Sequence, residues 1–366
     1  MPSKDANNQS MTSPPFFAPV PATGDAPGPA AGGSAEPLAG ADPPEILELR
    51  QKIAEACQSW LMRSPSPATR DNYKRDLRQF LAFAGVPAGR PEALAGIRPH
   101  QVAAWRDHLR EAGLTNSSIR RKMSALRSMY SYLQTYGFVG SNPAHSDFVA
   151  APAVPRDGKT VALSPADCRR LLDAPKTSRR DEDTGKDIPL PTGFRDRALL
   201  AVLAYTGCRV GELTRMKVGS YKQSGVHRVL EIMGKGGKER LVPVHLEAAE
   251  RLEAWMDLAG IRGEPGRPLF PPTLPAWGRE RQGFAPRAMT TRAVQKLVET
   301  YVRRLGLDPN VTVHSLRVTA LTTAREQGSD IIDLQIYAGH SDPRTTLTYI
   351  RNRDQLSKSP AYVLKY

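Results

Sequence analysis

Two histidines, an arginine and a tyrosine near the C-terminal end of this 366-residue chain have a spacing that favours one shared site. His314 and Arg317 lie three residues apart in a stretch of helical periodicity, so they face the same way. Gly339 ends the next short helical segment and places His340 just beyond it. Tyr349 lies about two turns into a third helical segment. The four side chains can therefore converge from three segments.

These residue types suit the attack of a hydroxyl group on a phosphodiester. An arginine guanidinium pairs bidentately with phosphate oxygens. Imidazoles donate hydrogen bonds or transfer protons near neutral pH. A tyrosine hydroxyl becomes a nucleophile when positive groups stabilise its phenolate and the charge on the phosphate. Each residue alone is more typical of packing or capping, so the interpretation depends on all of them together.

A second arginine and an acid lie upstream, in the run YTGCRVGEL at 205–213. This run follows an apolar helical segment, which Thr206 and Gly207 interrupt. Arg209 then begins the next helical segment, with Glu212 three residues later. At that spacing the carboxylate can hold the guanidinium in place.

Two short apolar runs, 229–233 and 240–244, flank the turn GKGGK at 234–238 and predict a β-hairpin. Lys235 would lie at the edge of that turn, where a flexible ammonium can protonate a leaving oxygen. The alternatives are a solvated turn or a plain phosphate contact. The turn is not a nucleotide-binding loop, because it has neither the Ser/Thr nor the strand-to-helix context.

The ordered motifs TGCRVGEL, GKGGKERLVP, HSLR and AGH, followed by Tyr349, resemble those of the tyrosine recombinases, the family of phage integrases and Xer-type enzymes. The resemblance covers about residues 48 to 355. Val318 and Ala338 depart from the usual family wording, but neither removes a catalytic group. The resemblance implies that Tyr349 is the nucleophile, that Arg209 and Arg317 clamp the phosphate, and that Lys235 is the general acid. It also implies that His314 and His340 assist proton transfer and charge stabilisation, while Glu212 supports Arg209.

The charge composition of the chain favours a polyanionic binding partner. The chain has 51 basic and 37 acidic residues, a net charge of +14 and an isoelectric point near 9.8. Three widely spaced cysteines form no metal-ligand or disulfide pattern, which fits a reducing compartment. The sequence has neither an apolar run of membrane-spanning length nor a secretion signal. We therefore expect a cytoplasmic location and no membrane partner.

The chain is predicted to be mostly α-helical and to divide into five regions. Residues 1–44 contain ten prolines and are predicted to be disordered. Residues 45–140 form four helices, 141–160 a linker, and 161–355 a mainly helical catalytic domain with a small antiparallel β-sheet. The tail 356–366 is predicted to contact a neighbouring subunit. The resemblance implies that the four helices are a SAM-like core-binding domain that contacts DNA.

The four predicted helices have apolar stripes for a core, including Ile46 and Leu49 in the first, and basic residues around them. A solvated face is the default interpretation of one basic helix, but two in a chain this cationic favour phosphate contact. The residues expected to contact DNA lie on the second and fourth helices and in the hairpin turn: Lys74, Arg75, Arg78, Arg120, Arg121, Lys122, Arg127 and Lys238.

The resemblance implies site-specific recombination and integration of DNA through a 3′-phosphotyrosyl intermediate, without cofactor or metal. A homo-oligomer, a tetramer on two double-stranded DNA sites, would carry out the exchange, with a second recombinase or an accessory DNA-bending protein as further candidate partners. The absence of an Asp/Glu cluster near the motifs argues against two-metal nuclease chemistry.

Three alternatives remain open: a type IB topoisomerase that relaxes DNA, a catalytically silent DNA-binding regulator, and an RNA-binding helical protein. The last lacks an aromatic stacking motif. The competing nucleophiles are Tyr337, which lies among apolar residues, and Tyr362 and Tyr366, which no histidine or arginine flanks.

Overall fold

The structure is a computed structural model, and its described residues divide near residue 155 into two compact units. Both units are mainly helical, which confirms the predicted mostly-α fold. The predicted C-terminal contact segment, 356–366, and nearly all of the predicted disordered segment lie outside the described residues. The structure describes four ranges: 42–154, 160–234, 237–274 and 283–349.

The first unit contains the four predicted helices, joined by short loops. Two of them begin at side-chain caps: Ser66 Oγ accepts from the Thr69 amide, and Thr115 Oγ1 accepts from the Ser118 amide. A short 3₁₀ helix, Pro91–Gly96, was not predicted. The helices are α1 (Pro44–Met62), α2 (Pro67–Phe83), α3 (Pro99–Glu111) and α4 (Asn116–Thr135).

The core of the first unit is aromatic and aliphatic. Phe80 packs edge-on against Trp105 at a centroid separation of 5.1 Å, and both are fully buried. Ile46 and Leu49 were predicted to join this core, and that prediction is wrong. Both are exposed, because the buried face of α1 begins only at Ile53.

The second unit surrounds the buried helix α6, whose residues 198–203 are all at most 1% exposed. α6 packs against α8 and α10. Ser164 caps α5 by accepting a hydrogen bond from the Asp167 amide, and Pro165 begins the helix. The helices are α5 (Pro165–Asp173), α6 (Pro191–Thr206), α7 (Val210–Leu213), α8 (Leu246–Leu258), α9 (Thr291–Arg304), α10 (Val313–Glu326), α11 (Ile331–Ala338) and α12 (Pro343–Tyr349).

Two small antiparallel sheets complete the second unit. β1 (Ser178–Arg180) pairs with β2 (Asp187–Pro189), and neither strand was predicted. The other sheet has the order β3–β4–β5, with the strands β3 (Tyr221–Ser224), β4 (His227–Met233) and β5 (Glu239–Pro243). Pairing of β4 with β5 confirms the predicted hairpin, and β3 was not predicted.

Within the described ranges, no helix combines the length and the apolar character that crossing a membrane requires.

Candidate active site

The break after α6 brings the two predicted arginines together. Gly207 ends α6 in the left-handed conformation, with a φ of 56°, and its carbonyl accepts a hydrogen bond from Arg317 Nη1. Arg209 follows two residues later at the start of α7. The turn from Gly207 to Arg209 therefore supplies the Arg209 guanidinium and, through the Gly207 carbonyl, binds the guanidinium of Arg317.

Arg317 is 1% exposed and lies on the first turns of α10. Besides the carbonyl of Gly207, its Nη2 donates to the carbonyl of Ala338 at 2.8 Å and contacts His340 Nε2 at 2.6 Å. All three acceptors are neutral atoms, so they orient the guanidinium without cancelling its charge. A buried, oriented positive charge is suited to an anion.

The contacts of His340 define its tautomer. An arginine nitrogen can only donate, so Nε2 of His340 must accept from Arg317, and the ring proton lies on Nδ1. Nδ1 then donates to Thr346 Oγ1, 2.9 Å away. Burial, followed by the charges of Arg317, Arg209 and Arg240, lowers the pKa of His340 to about 4. The imidazole is therefore neutral at neutral pH, and it holds Arg317 in place.

Glu212 is 3% exposed and is shared by two arginines. Its carboxylate accepts from the Arg209 amide at 2.9 Å and from Arg209 Nη1 at 3.0 Å. It also accepts from Arg240 Nη2 at 2.8 Å. Burial would raise the pKa of Glu212, but the hydrogen bonds from Arg240 and Arg209 outweigh it, so the pKa is lowered. The support predicted for Arg209 is present as a contact.

Arg240 on β5 is a site residue that the sequence reasoning missed. Its Nε donates to the carbonyl of Tyr337 on α11 at 3.2 Å, so it connects the hairpin to α11 as well as to Glu212. Gly339 lies directly against it, since a Cβ at that position would be 2.9 Å from Arg240 Nη1. Arg240 and Tyr337 are 97 positions apart, and no rule of helix or strand periodicity predicts a contact at that separation. Only the fold reveals it.

A cavity of about 480 Å³ opens beside these residues, and Arg209, His314 and Arg317 line it. Burial, followed by the charges of Arg317 and Arg209, lowers the pKa of His314. Arg292, Gln295 and Glu299 on α9 also line the cavity, and Arg292 pairs with Glu299 at 3.3 Å. Three arginines and a histidine at one cavity form a site for a polyanion.

Two predicted site residues are not placed at this cavity. Lys235 lies outside the described residues. Tyr349 lies about two turns into α12, as predicted, and its side chain lies outside the described residues. The structure therefore brings together five of the seven predicted catalytic and supporting residues: Arg209, Glu212, His314, Arg317 and His340.

Tyr337, the competing nucleophile on α11, already uses its hydroxyl. The Oη donates to the carbonyl of Tyr205 at 2.7 Å, and burial raises its pKa. This packing agrees with its interpretation as a core residue. The other two competing tyrosines, Tyr362 and Tyr366, lie outside the described residues.

The basic residues predicted to contact DNA fall into two groups. Lys122 is 8% exposed, and its Nζ donates to Asp76 at 3.0 Å and to Gln79 at 2.6 Å. Arg127 is half-buried and donates to the backbone carbonyls of Ala144 and Val149. These contacts engage both cationic groups inside the unit, and contact of Lys122 and Arg127 with DNA stays a prediction.

The remaining predicted contact residues reach the surface. Arg121 is exposed, although it also pairs with Asp76. Lys74 is partly buried. The others are exposed: Arg75, Arg78, Arg120 and Lys238.

Among the described residues, no group of three or more His, Cys, Asp or Glu side chains is arranged to hold a metal ion.

Comparison with protein families matches residues 162–355 to the "Phage integrase family" and residues 59–137 to "Phage integrase, N-terminal SAM-like domain". The first match spans the unit that carries the site, and the second lies in the four-helix unit. The chain therefore belongs to the phage integrase family of tyrosine-type site-specific recombinases, which confirms the resemblance in its motifs.

Curated relatives carry Xer names. The chain is 32% identical over 290 residues to tyrosine recombinase XerC of Pelobacter propionicus, covering 78% of this chain and 85% of the relative. It is 31% identical over 301 residues to tyrosine recombinase XerD of Pseudomonas aeruginosa, covering 79% and 88%. A lambda integrase tetramer bound to a Holliday junction has the same fold, with a TM-score of 0.60, 16% identity, and coverage of 86% of this chain and 82% of that one.

Proposed function

We propose that the protein cuts and rejoins double-stranded DNA with Tyr349 as its nucleophile. The observation that carries the proposal is the cavity where Arg209, Arg317 and His314 meet. Arg317 at this cavity also contacts His340, which lies between α11 and α12. Two guanidiniums on one phosphate bind its non-bridging oxygens and stabilise the charge that develops during attack. The positive groups also favour the tyrosine phenolate.

In the proposed step, the Tyr349 hydroxyl passes its proton to the His314 imidazole and attacks the scissile phosphorus, and the bond to the 5′ oxygen breaks. The products are a 3′-phosphotyrosyl link and a 5′-hydroxyl that takes its proton from Lys235. Arg317, fixed by three neutral acceptors, and Arg209, fixed by Glu212, hold the phosphate oxygens. His340 supports Arg317, and His314 lies at the cavity as a hydrogen-bond donor or proton carrier.

The covalent link retains the energy of the broken bond, so a 5′-hydroxyl from a partner strand can reverse the step and exchange strands. We infer that a homo-oligomer on two DNA sites performs this exchange. The lambda integrase tetramer on a Holliday junction supports the inference through its fold. The tail 356–366 as a subunit contact, and a second recombinase or accessory DNA-bending protein, belong to the same proposal.

DNA contact is proposed for the exposed basic residues of α2 and α4 and for Lys238 in the hairpin. Their charge, and the net charge of +14 of the whole chain, support binding to phosphates. On α2 and α4, the strongest candidates are Arg75, Arg78 and Arg120, which are exposed. Arg121 is also exposed, but it pairs with Asp76.

A nicked, end-labelled suicide duplex tests the proposal. The protein first selects its binding site from random-sequence DNA. It is then incubated with that site in EDTA, and the products are separated on a denaturing gel. We expect a covalent protein–DNA band that is absent with Tyr349→Phe and present with the matched control Tyr337→Phe.

Other outcomes decide between the alternatives. A band that survives in Tyr349→Phe would move the nucleophile to another residue. Tight binding without any band would favour a silent regulator. Relaxation of supercoiled plasmid, with no joining of two separate sites, would favour a topoisomerase.

A further inference from the structure

Arg240 has no role in the proposed chemistry, yet it is built into the site from three sides. Its side chain is 12% exposed and forms an ion pair with Glu212 at 2.8 Å. A second bond runs from Nη1 to the other carboxylate oxygen at 3.3 Å. Its Nε donates to the carbonyl of Tyr337, and Gly339 packs against its guanidinium. Arg240 is thus nearly buried, and its guanidinium is fixed by contacts with Glu212, Tyr337 and Gly339.

The charges around Glu212 show what Arg240 contributes. Glu212 carries one negative charge, and Arg209 and Arg240 each carry one positive charge, so the three groups together are positive by one charge. Without Arg240, the Glu212 carboxylate would be balanced by Arg209 alone. That pair would be neutral as a whole and would attract a phosphate more weakly.

Arg209 and Arg240 differ in exposure, and this difference indicates different roles. Arg209 has 41% of its side chain exposed and lines the cavity, whereas Arg240 is nearly buried behind Glu212. Arg209 is thus the group that an anion in the cavity reaches, and Arg240 is the group that balances the carboxylate from behind.

We propose that Arg240 is a positioning residue that neutralises Glu212 and thereby keeps the charge of Arg209 available to the scissile phosphate. The proposal rests on the phosphodiester chemistry inferred above. Glu212 can then orient Arg209 through two hydrogen bonds without cancelling its charge. The bond to Tyr337 additionally fixes Arg240 to the helix that precedes His340.

The test compares two DNA substrates that differ only in charge. One has the natural phosphodiester at the scissile position, and the other has a methylphosphonate, in which a methyl group replaces a charged oxygen. Single-turnover formation of the covalent product is measured for each variant and divided by the rate of the unaltered protein on the same substrate. We expect Arg240→Met to lose about 100-fold on the diester, since a preorganised charge is worth that much.

On the methylphosphonate, we expect Arg240→Met to lose less than about 3-fold, because that substrate needs no charge neutralisation. Arg240→Lys keeps the charge and should recover most of the diester rate. Arg215→Met is the matched control. The Arg215 side chain is exposed and donates to the carbonyl of Met233 in the same hairpin at 3.1 Å. Its bond to Glu212 comes from the backbone amide, which the substitution keeps, so loss of the side chain should leave both rates unchanged.

A double variant gives an independent test, even where Arg240→Met is unstable on its own. If the Glu212 charge is what disables Arg209, then Glu212→Gln combined with Arg240→Met should cleave the diester faster than Arg240→Met alone. Its rate should reach that of Glu212→Gln alone. Thermal unfolding of each variant shows that the protein compared is folded.

Equal losses of Arg240→Met on the two substrates would overturn the proposal and leave Arg240 with a structural role only. Absence of rescue in the double variant would also overturn it. Failure of the proposed function looks different, since the unaltered protein and Tyr349→Phe would then give the same result on both substrates.

Discussion

The two units each bury one carboxylate that two cations share. In the first unit, Asp76 is 1% exposed and binds Arg121 and Lys122. In the second unit, Glu212 is 3% exposed and binds Arg209 and Arg240. Both groups of three have a net charge of one positive unit. As electrostatic motifs they are nearly the same.

Their surroundings differ. Lys122 is buried and also bonded to Gln79, so its charge is used within the helical bundle. Arg209 is 41% exposed, opens onto the cavity of about 480 Å³, and has Arg317 beside it there. A shared carboxylate therefore stabilises packing when it holds a buried cation such as Lys122. It prepares an anion site when one cation faces a cavity and a further guanidinium adjoins it.

The largest difference in DNA cleavage is expected when a cation of each unit is replaced. Arg317→Met removes an oriented charge at the cavity and should lower single-turnover DNA cleavage by about 10²- to 10³-fold. Lys122→Met removes a buried cation of the other unit and should leave cleavage by the folded protein unchanged. Suicide-duplex assays, run at equal concentrations of folded protein, measure both. Similar losses in the two variants would contradict the distinction drawn between the clusters.

A matched pair of carboxylate variants should have equal effects on stability and unequal effects on activity. Asp76→Asn and Glu212→Gln each leave two cations without their shared anion, which should lower the free energy of unfolding by about 3 kcal/mol. Only Glu212→Gln should also slow cleavage, by about 10-fold, because Arg209 loses its orienting partner. Urea unfolding and single-turnover cleavage separate the two effects. Slower cleavage by folded Asp76→Asn would break the comparison.

A smaller effect is expected at Thr346, which is fully buried and accepts the His340 ring proton. Thr346→Val leaves that proton without its acceptor, at a cost of about 1–3 kcal/mol, or shifts it to Nε2, where it would meet the donors of Arg317. Cleavage should fall about 10-fold through the misplaced guanidinium. Thr346→Ser, which keeps the hydroxyl, serves as the control and should cleave at the normal rate.

The effect that is least visible at neutral pH is the pH dependence of stability. The pKa of His340 is about 4 in the folded protein, below its ordinary value of 6.5, so the unfolded chain binds this proton first as the pH falls. Stability from this group is complete above pH 6.5 and is lost between 6.5 and 4, at no more than about 1.4 kcal/mol per pH unit. His340→Asn should flatten the curve. Stability of this variant should still fall with falling pH to a smaller extent, because the pKa of His314 is also lowered. Identical slopes in the two proteins would contradict the assignment.

Much of the second unit could be predicted because local rules and tertiary structure agree there. Gly339 ends α11 and Tyr349 lies about two turns into α12, as predicted, since a glycine marks the first boundary and a proline the start of the second helix. The β4–β5 hairpin follows from two apolar runs around a glycine-rich turn. The contact of Arg209 with Glu212 follows from a spacing of three residues.

The rest could not be predicted, for identifiable physical reasons. β1 and β2 are polar and mostly exposed, so they lack the alternation that identifies a strand. The burial of Lys122 depends on an acid 46 residues away, which no helical periodicity reveals. Arg240 appears in the sequence as one more basic residue of a hairpin, because its partners lie on α7 and α11.

The close approach of Gly339 to Arg240 also restricts how this protein can change over generations. Any larger residue at 339 would push against the guanidinium, and the φ of 62° disfavours side chains there in any case. A change at 339 would therefore have to be accompanied by a change at 240, and the second would disturb Glu212. Among descendants that still cleave DNA, we expect glycine at 339 to persist wherever arginine persists at 240, so that these two positions are inherited as a pair.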